Sequence, residues 1–311
     1  MKKVFIDGSA GTTGLRIKER LAARNDIETL VLPEETRKDE NARKECIFAA
    51  DAAILCLPDE AARQALALAE GAKTVIIDTS TAHRTDPRFV YGFAELKGGR
   101  ERIANSKRIA NPGCHACGFI ALVAPLTEAG LIAKDTALTC FSLTGYSGGG
   151  KKMIADYESP DASPLLGAPR IYGLNQNHKH LPEMQKVCGL ETAPAFCPTV
   201  APYYCGMEVS VPLFAKDLKG TADDIKQLYR EYYAEGLIRY AETNQTFLSA
   251  CEYAGYDDME ITVCGNGERI LLVSRFDNLG KGASGSAIQN LNICLGLNET
   301  AGLKTKNGET E

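Results

Sequence analysis

Cys114 lies in the stretch Arg108-Ile109-Ala110-Asn111-Pro112-Gly113-Cys114-His115-Ala116-Cys117-Gly118. A strand-like Arg108-Ile109-Ala110 ends at an Asn-Pro-Gly turn, and an apolar helix is expected over residues 117–124. Cys114 therefore falls at or just before a helix N-terminus, where free backbone N–H groups and the helix dipole favour a thiolate. A thiolate is a nucleophile towards an acyl carbon. Acyl chemistry on sulfur also needs a group that takes and returns a proton near neutral pH, a task that suits histidine. The chain has four histidines, and two of them share His178-Lys179-His180-Leu181-Pro182-Glu183. His115 is expected to point elsewhere, and Cys117 reads as packing or a redox partner. His-x-His also suits a metal, but no third ligand has a convincing spacing and none is expected.

A second kind of chemistry is written near the N-terminus. Gly8-Ser9-Ala10-Gly11-Thr12-Thr13-Gly14 follows a short strand run, Val4-Phe5-Ile6, and opens a helical pattern. Glycines at such a place let a pyrophosphate approach the free N–H groups of a helix start. The next strand leads into Pro33-Glu34-Glu35-Thr36-Arg37-Lys38, which carries both signs. Arg37 and Lys38 favour NADP, whose 2′-phosphate calls for basic partners. Asp78-Thr79-Ser80-Thr81-Ala82-His83-Arg84 follows another buried strand, at the end where α/β sheets place ligands. Asp277-Asn278-Leu279-Gly280-Lys281-Gly282-Ala283 is a second glycine-rich loop before a helix. It reads equally as a cofactor contact or as a linker.

The elements that must position these groups fall into two regions. Residues 1–110 alternate strand runs (4–6, 29–32, 52–57, 74–77) with helical patterns (14–24, 59–70), which argues for a parallel α/β sheet. Beyond about residue 135, the runs 138–143, 207–214, 260–264 and 270–274 suit a mixed or antiparallel sheet, with long helices over 221–237 and 285–297. Residues 148–177 read as loops and 304–311 as a frayed end.

The 311 residues are 44% hydrophobic and 24% charged, the proportions of a globular chain. At about 150 residues per domain they make two domains. A formal net charge of −5 argues against a nucleic-acid partner. The longest apolar run, residues 116–126, is about 11 residues and holds Pro125, whereas a membrane span needs ~20. No signal peptide is evident, and eleven cysteines in a chain of this kind are expected to be reduced. A soluble, cytoplasmic protein is expected.

With these five segments in order, the chain resembles the shorter type of N-acetyl-γ-glutamyl-phosphate reductase of arginine biosynthesis, in one superfamily with the aspartate-semialdehyde dehydrogenases. The resemblance covers essentially the whole chain. It implies an α/β fold: a Rossmann-type parallel-sheet domain over residues 1–113 plus about 284–311, and an α+β catalytic and dimerisation domain over 114–283. It implies NADP(H) as cofactor, an acyl-phosphate substrate, inorganic phosphate as product, and a homo-oligomer, dimer or tetramer. Cys114 is then the nucleophile, with His180 preferred as acid–base group and His178 in the substrate pocket. Gly8, Ser9, Ala10, Gly11, Thr12, Thr13, Gly14, Arg37, Lys38, Ser80, Asn278, Gly280 and Lys281 are the implied cofactor contacts. Asn111, Arg84 and Glu183 are the implied substrate contacts. This chain has Cys205-Gly206 where the longer type tends to read Arg-Gly, so Arg84, Lys151 or Arg170 is the alternative phosphate partner. Two other readings stay open: an aspartate-semialdehyde dehydrogenase, and a catalytically idle NADP-binding sensor.

Overall fold

The computed structural model describes residues 1–306. It divides into two units. The first comprises Met1–Ala94, Gly98–Gly113 and Ala283–Lys304. Its elements are Lys2–Asp7 (β1), Thr12–Ala22 (α1), Ile27–Leu30 (β2), Glu40–Ala49 (α2), Ala52–Leu55 (β3), Asp59–Leu68 (α3), Val75–Asp78 (β4), Val90–Tyr91 (β5), Gly99–Ala104 (α4) and Arg108–Ala110 (β6). A later helix, Gly285–Cys294, completes the unit.

The six strands are all parallel, in the order β2-β1-β3-β4-β6-β5. Continuous apolar runs such as Val4-Phe5-Ile6 and Ala52-Ala53-Ile54-Leu55 are buried on both faces, as a parallel sheet requires. Ile17 and Leu21 of α1, Ile103 of α4 and Ile288 and Leu291 of the last helix cover one face. Ile47 of α2 and Ala65 of α3 cover the other. The strand order changes direction between β1 and β3, the point where open α/β sheets bind ligands at the strands' C-terminal ends.

The second unit comprises Glu95–Lys97, Cys114–Gly282 and the chain from Thr305. Its elements are Cys114–Glu128 (α5), Thr139–Gly145 (β7), Gly150–Glu158 (α6), Arg170–Ile171 (β8), Leu181–Val187 (α7), Ala195–Ala201 (β9), Met207–Phe214 (β10), Ala222–Tyr232 (α8), Ile238–Tyr240 (β11), Met259–Gly265 (β12) and Arg269–Phe276 (β13). The seven strands form a mixed sheet, β11-β12-β13-β10-β7-β9-β8. The pairs β7–β9 and β11–β12 are parallel, the others antiparallel.

Helix α5 is apolar on all sides and lies in the core, packed on β10, β13, α7 and α8. Pro125 lacks an N–H, so the Ala121 carbonyl one turn earlier loses its helical donor. Tyr233, just past α8, fills that place: its hydroxyl donates to the Ala121 carbonyl at 2.7 Å. The Tyr229 hydroxyl donates to the neighbouring Leu122 carbonyl. Helix α8 opens on a capping box between Thr221 and Asp224.

Two expectations are corrected here. Residues 148–177 are not all loop, because α6 and the edge strand β8 lie within them. The C-terminal stretch is not frayed at Lys306: its N–H donates to the Asp258 carboxylate, and its ammonium pairs with Glu252. Residues 307–311 lie outside the described residues. Among the described residues no helix is long and apolar enough to cross a membrane.

Candidate active site

The glycine loop is shaped by what its glycines touch. Gly8 has φ +84°, and a Cβ there would stand 2.3 Å from the Cys56 carbonyl oxygen just past β3. A Cβ at Gly14 would stand 2.5 Å from the Gly8 oxygen. Gly8 thus docks the loop on the next strand, and Gly14 lets α1 fold back on it. Gly11 differs: nothing lies closer than 3.6 Å to its Cβ position. Helix α1 starts with no side-chain cap and no acid in its first turn, and the Thr12 hydroxyl is buried without a partner. Free N–H groups, an unpartnered hydroxyl and open space at Gly11 fit a phosphate group. Asp7, just before the loop, is buried and takes Arg43 Nε and Nη2 at 3.0 and 2.8 Å. Burial pushes its carboxyl up, and the guanidinium opposes this. Arg37 pairs with Glu34 at 2.6 Å in the exposed loop after β2, where Lys38 is also exposed.

At the C-terminal end of β4, Asp78 accepts from the Ser80 N–H and hydroxyl at 2.9 and 2.8 Å. It also holds His83 Nδ1 at 2.6 Å, with the His83 ring stacked on Phe89. Arg84 donates to the Asn111 and Thr79 carbonyls, each at 3.0 Å. The Asn111 side chain donates to the Ala283 carbonyl and accepts from Asn290, again at 3.0 Å.

In the second unit, Cys114 is the first residue of α5 and is half-buried. Cys117 is buried, with Sγ 3.6 Å from the Lys281 carbonyl, and burial pushes its thiol far up. It is a packing residue rather than a redox partner. His115 corrects the expectation that it points away. Its Nδ1 lies 2.6 Å from Ser142 Oγ and its Nε2 lies 2.6 Å from the Tyr172 hydroxyl. The rings of His178 and His180 are each 5.6 Å from it, and 4.7 Å from each other. Burial, then the charges of His178 and Lys179, lower His115 to about 3, so it is neutral. The His180 N–H donates to His178 Nδ1 at 3.1 Å, which makes that nitrogen an acceptor. His180 Nε2 stands 4.0 Å from the Glu183 carboxylate, and both side chains are buried.

The loop 277–283 is a brace around this helix start. Asp277 accepts from the Gly255 and Leu279 N–H groups at 2.6 and 2.7 Å. Asn278 accepts from Gly206 N at 2.9 Å and donates to Ser147 Oγ at 3.0 Å. A Cβ at Gly280 would stand 2.0 Å from the Tyr256 carbonyl oxygen. Lys281, an implied cofactor contact, forms a buried pair with Glu95, at 2.7 and 2.8 Å. Arg170 donates to the Tyr157 hydroxyl at 3.1 Å, and Lys151 is exposed on α6. Sequence reasoning missed Ser142, Tyr172 and Glu95, for which no local motif exists.

A doubly wound nucleotide-type sheet, and a second unit whose core helix starts on a cysteine beside a histidine cluster, define a semialdehyde dehydrogenase. Residues 3–106 match the family model described as semialdehyde dehydrogenase, NAD binding domain, and residues 114–278 match semialdehyde dehydrogenase, dimerisation domain. The fold is similar to that of aspartate semialdehyde dehydrogenase II from Vibrio cholerae, with TM-score 0.74 and 17% identity over 95% of this chain and 98% of that one. It is also similar to the Candida albicans aspartate semialdehyde dehydrogenase solved with NADP, with TM-score 0.67 and 15% identity over 94% and 99%. Sequence narrows this further. The chain is 46% identical to the N-acetyl-gamma-glutamyl-phosphate reductase of Brucella anthropi, over 94% of this chain and 98% of that protein. It is 45% identical to that of Brucella ovis, over 94% and 99%. The chain belongs to the N-acetyl-γ-glutamyl-phosphate reductase family.

Proposed function

We propose that this chain catalyses the NADPH-dependent reductive dephosphorylation of N-acetyl-γ-glutamyl phosphate to N-acetyl-glutamate semialdehyde, in arginine biosynthesis, through a thioester on Cys114. The observation that carries the reading is the setting of Cys114. It opens a fifteen-residue core helix with no acid in the first turn, and the next residue's ring touches His178 and His180. Identity of 46% to a named reductase, against 17% to an aspartate-semialdehyde dehydrogenase, favours the acetylglutamyl substrate. An idle sensor would need neither the cysteine nor the histidine pair.

The helix start favours the Cys114 thiolate. The thiolate attacks the γ-acyl carbon; a C–S bond forms, the C–O bond to phosphate breaks, and inorganic phosphate leaves with the electron pair. Residues 8–14 would hold a nicotinamide nucleotide, whose chemistry would be hydride supply, and Arg37 and Lys38 would favour the 2′-phosphate of NADP. Charge that develops on the thioester oxygen meets the N–H groups of the first turn of α5, worth ~3 kcal/mol per donor in comparable sites. His180, beside Glu183, is assigned the proton transfer, and His178 a place in the substrate pocket. The C–S bond then breaks and returns the thiolate. Asn111, Arg84 and Glu183 are assigned to the substrate by resemblance to the family.

A second copy is assigned to the open face of the seven-stranded sheet. That face aligns Phe141, Phe214 and Leu271, all exposed. Eleven cysteines suit a reducing, cytoplasmic setting.

The test is phosphate-dependent reduction of NADP⁺ with N-acetyl-glutamate semialdehyde, in parallel with aspartate semialdehyde. Activity on the first alone is the expected result, and activity on the second alone overturns the substrate. Cys114→Ser should abolish turnover and keep NADPH binding; substantial residual activity would overturn the thioester.

A further inference from the structure

We propose that His115 is a positioning residue for this reaction: its imidazole ties Tyr172 to Ser142 and so fixes the Tyr172 hydroxyl at the first turn of α5. The inference rests on the assignment of Cys114 as nucleophile.

The ring is enclosed. Its two nitrogens face hydroxyls from two different segments, Ser142 on β7 and Tyr172 just past β8, each at 2.6 Å. His178, His180 and Phe196 pack edge-on or tilted around it. The segment that bears Tyr172 is an edge of the sheet held through its backbone: β8 pairs antiparallel with β9, and the Tyr172 N–H donates to the Pro198 carbonyl at 3.0 Å. Both residues of β8 are exposed, and the loop that follows is anchored by Gln176, whose side-chain amide pairs with the N–H and carbonyl of Phe196 at 2.8 and 2.7 Å. The hydroxyl end of Tyr172 is fixed by His115.

A neutral imidazole has one donor and one acceptor nitrogen. With the proton on Nε2, the ring donates to the Tyr172 oxygen and accepts from the Ser142 hydroxyl. The phenolic proton is then directed away from the ring, towards the oxygen of an acyl group on Cys114. Burial, and after it the charge of a Cys114 thiolate, push the pKa of this phenol up. His115 itself exchanges no proton with substrate and acts through Tyr172.

The test compares His115→Asn, His115→Gln, Tyr172→Phe and the His115→Asn/Tyr172→Phe pair in the phosphate-dependent assay, each with its melting temperature. An asparagine amide reaches the Nδ1 position and Ser142; a glutamine amide reaches the Nε2 position and Tyr172. His115→Asn and Tyr172→Phe should each lower kcat ~10- to 100-fold with KM within about threefold. The double variant should be no worse than either, and His115→Gln should recover most of the loss. Equal losses in Asn and Gln, or multiplicative losses in the double variant, overturn the proposal. Histidine ¹⁵N spectra of the wild type give a readout independent of turnover: the proton is expected on Nε2 of His115, and a proton on Nδ1 overturns the proposal. Failure of the Cys114 assignment is read separately, from residual activity of Cys114→Ser.

Discussion

Gly282 lies against Cys114: a Cβ at this position would stand 3.0 Å from Cys114 Cβ and 3.2 Å from the Phe276 ring. The first turn of α5 is therefore seated on the 277–283 loop, and a methyl group there must move one or the other. Gly282→Ala should cost ~1–3 kcal/mol through overpacking. It should also lower kcat ~10-fold or more by displacing the sulfur, with NADPH affinity unchanged. Initial rates and a fluorescence titration of NADPH separate the two effects; an unchanged kcat would show that the helix start absorbs the methyl elsewhere.

The buried Lys281–Glu95 pair supports the same helix start, since the Lys281 carbonyl faces Cys117 Sγ. Removing one member leaves an uncompensated charge in the core. Lys281→Met or Glu95→Gln alone should cost ~3–5 kcal/mol, and together they should recover most of it. In the double variant the amide introduced by Glu95→Gln still accepts the Leu237 N–H that Glu95 holds at 3.2 Å. Urea unfolding of the three variants checks this; a double variant as unstable as the worse single one would deny that charge burial sets the cost.

The parts of the molecule legible in sequence are those written in contiguous residues. Apolar runs and the turn at Asn111-Pro112-Gly113 gave the parallel sheet and the helix that starts at Cys114. Helix α6 was hidden because none of its residues is buried, so no apolar period marks it. Helix α2 buries only Arg43 and Ile47, for the same result. The cage around His115 and the Lys281 pair join residues 27, 57 and 186 positions apart, separations that only the fold brings together. Glycine spacing likewise said nothing of which glycine is steric and which is open.

That difference among the glycines can be measured. Gly8→Ala meets the Cys56 carbonyl at 2.3 Å and a φ of +84°, and Gly14→Ala meets the Gly8 oxygen at 2.5 Å. Both should destabilise the first unit by ~1–3 kcal/mol or more. Gly11→Ala has room and should melt within a few degrees of wild type. If a pyrophosphate approaches the helix start there, Gly11→Ala should nonetheless weaken NADPH binding ~10-fold or more. Wild-type affinity in a well-folded Gly11→Ala protein would move the nucleotide away from this loop.

His115 should also leave a signature in the pH dependence of stability. Its ordinary value of 6.5 is lowered to about 3 by burial and by His178 and Lys179. Above pH 6.5 the ring is neutral folded and unfolded and adds no pH dependence. As pH falls from 6.5 towards 3, the unfolded chain takes up a proton that the folded chain refuses. The free energy of unfolding then drops by up to ~1.4 kcal/mol per pH unit. His115→Gln removes this drop. The stability advantage of wild type over His115→Gln should therefore be greatest above pH 6.5 and shrink by about 1 kcal/mol or more on reaching about pH 5. Urea unfolding of both proteins across that range reads the gap directly. A gap that stays constant would mean that the folded chain protonates His115 as readily as the unfolded one, and the neutral bridge between Ser142 and Tyr172 would be lost with it.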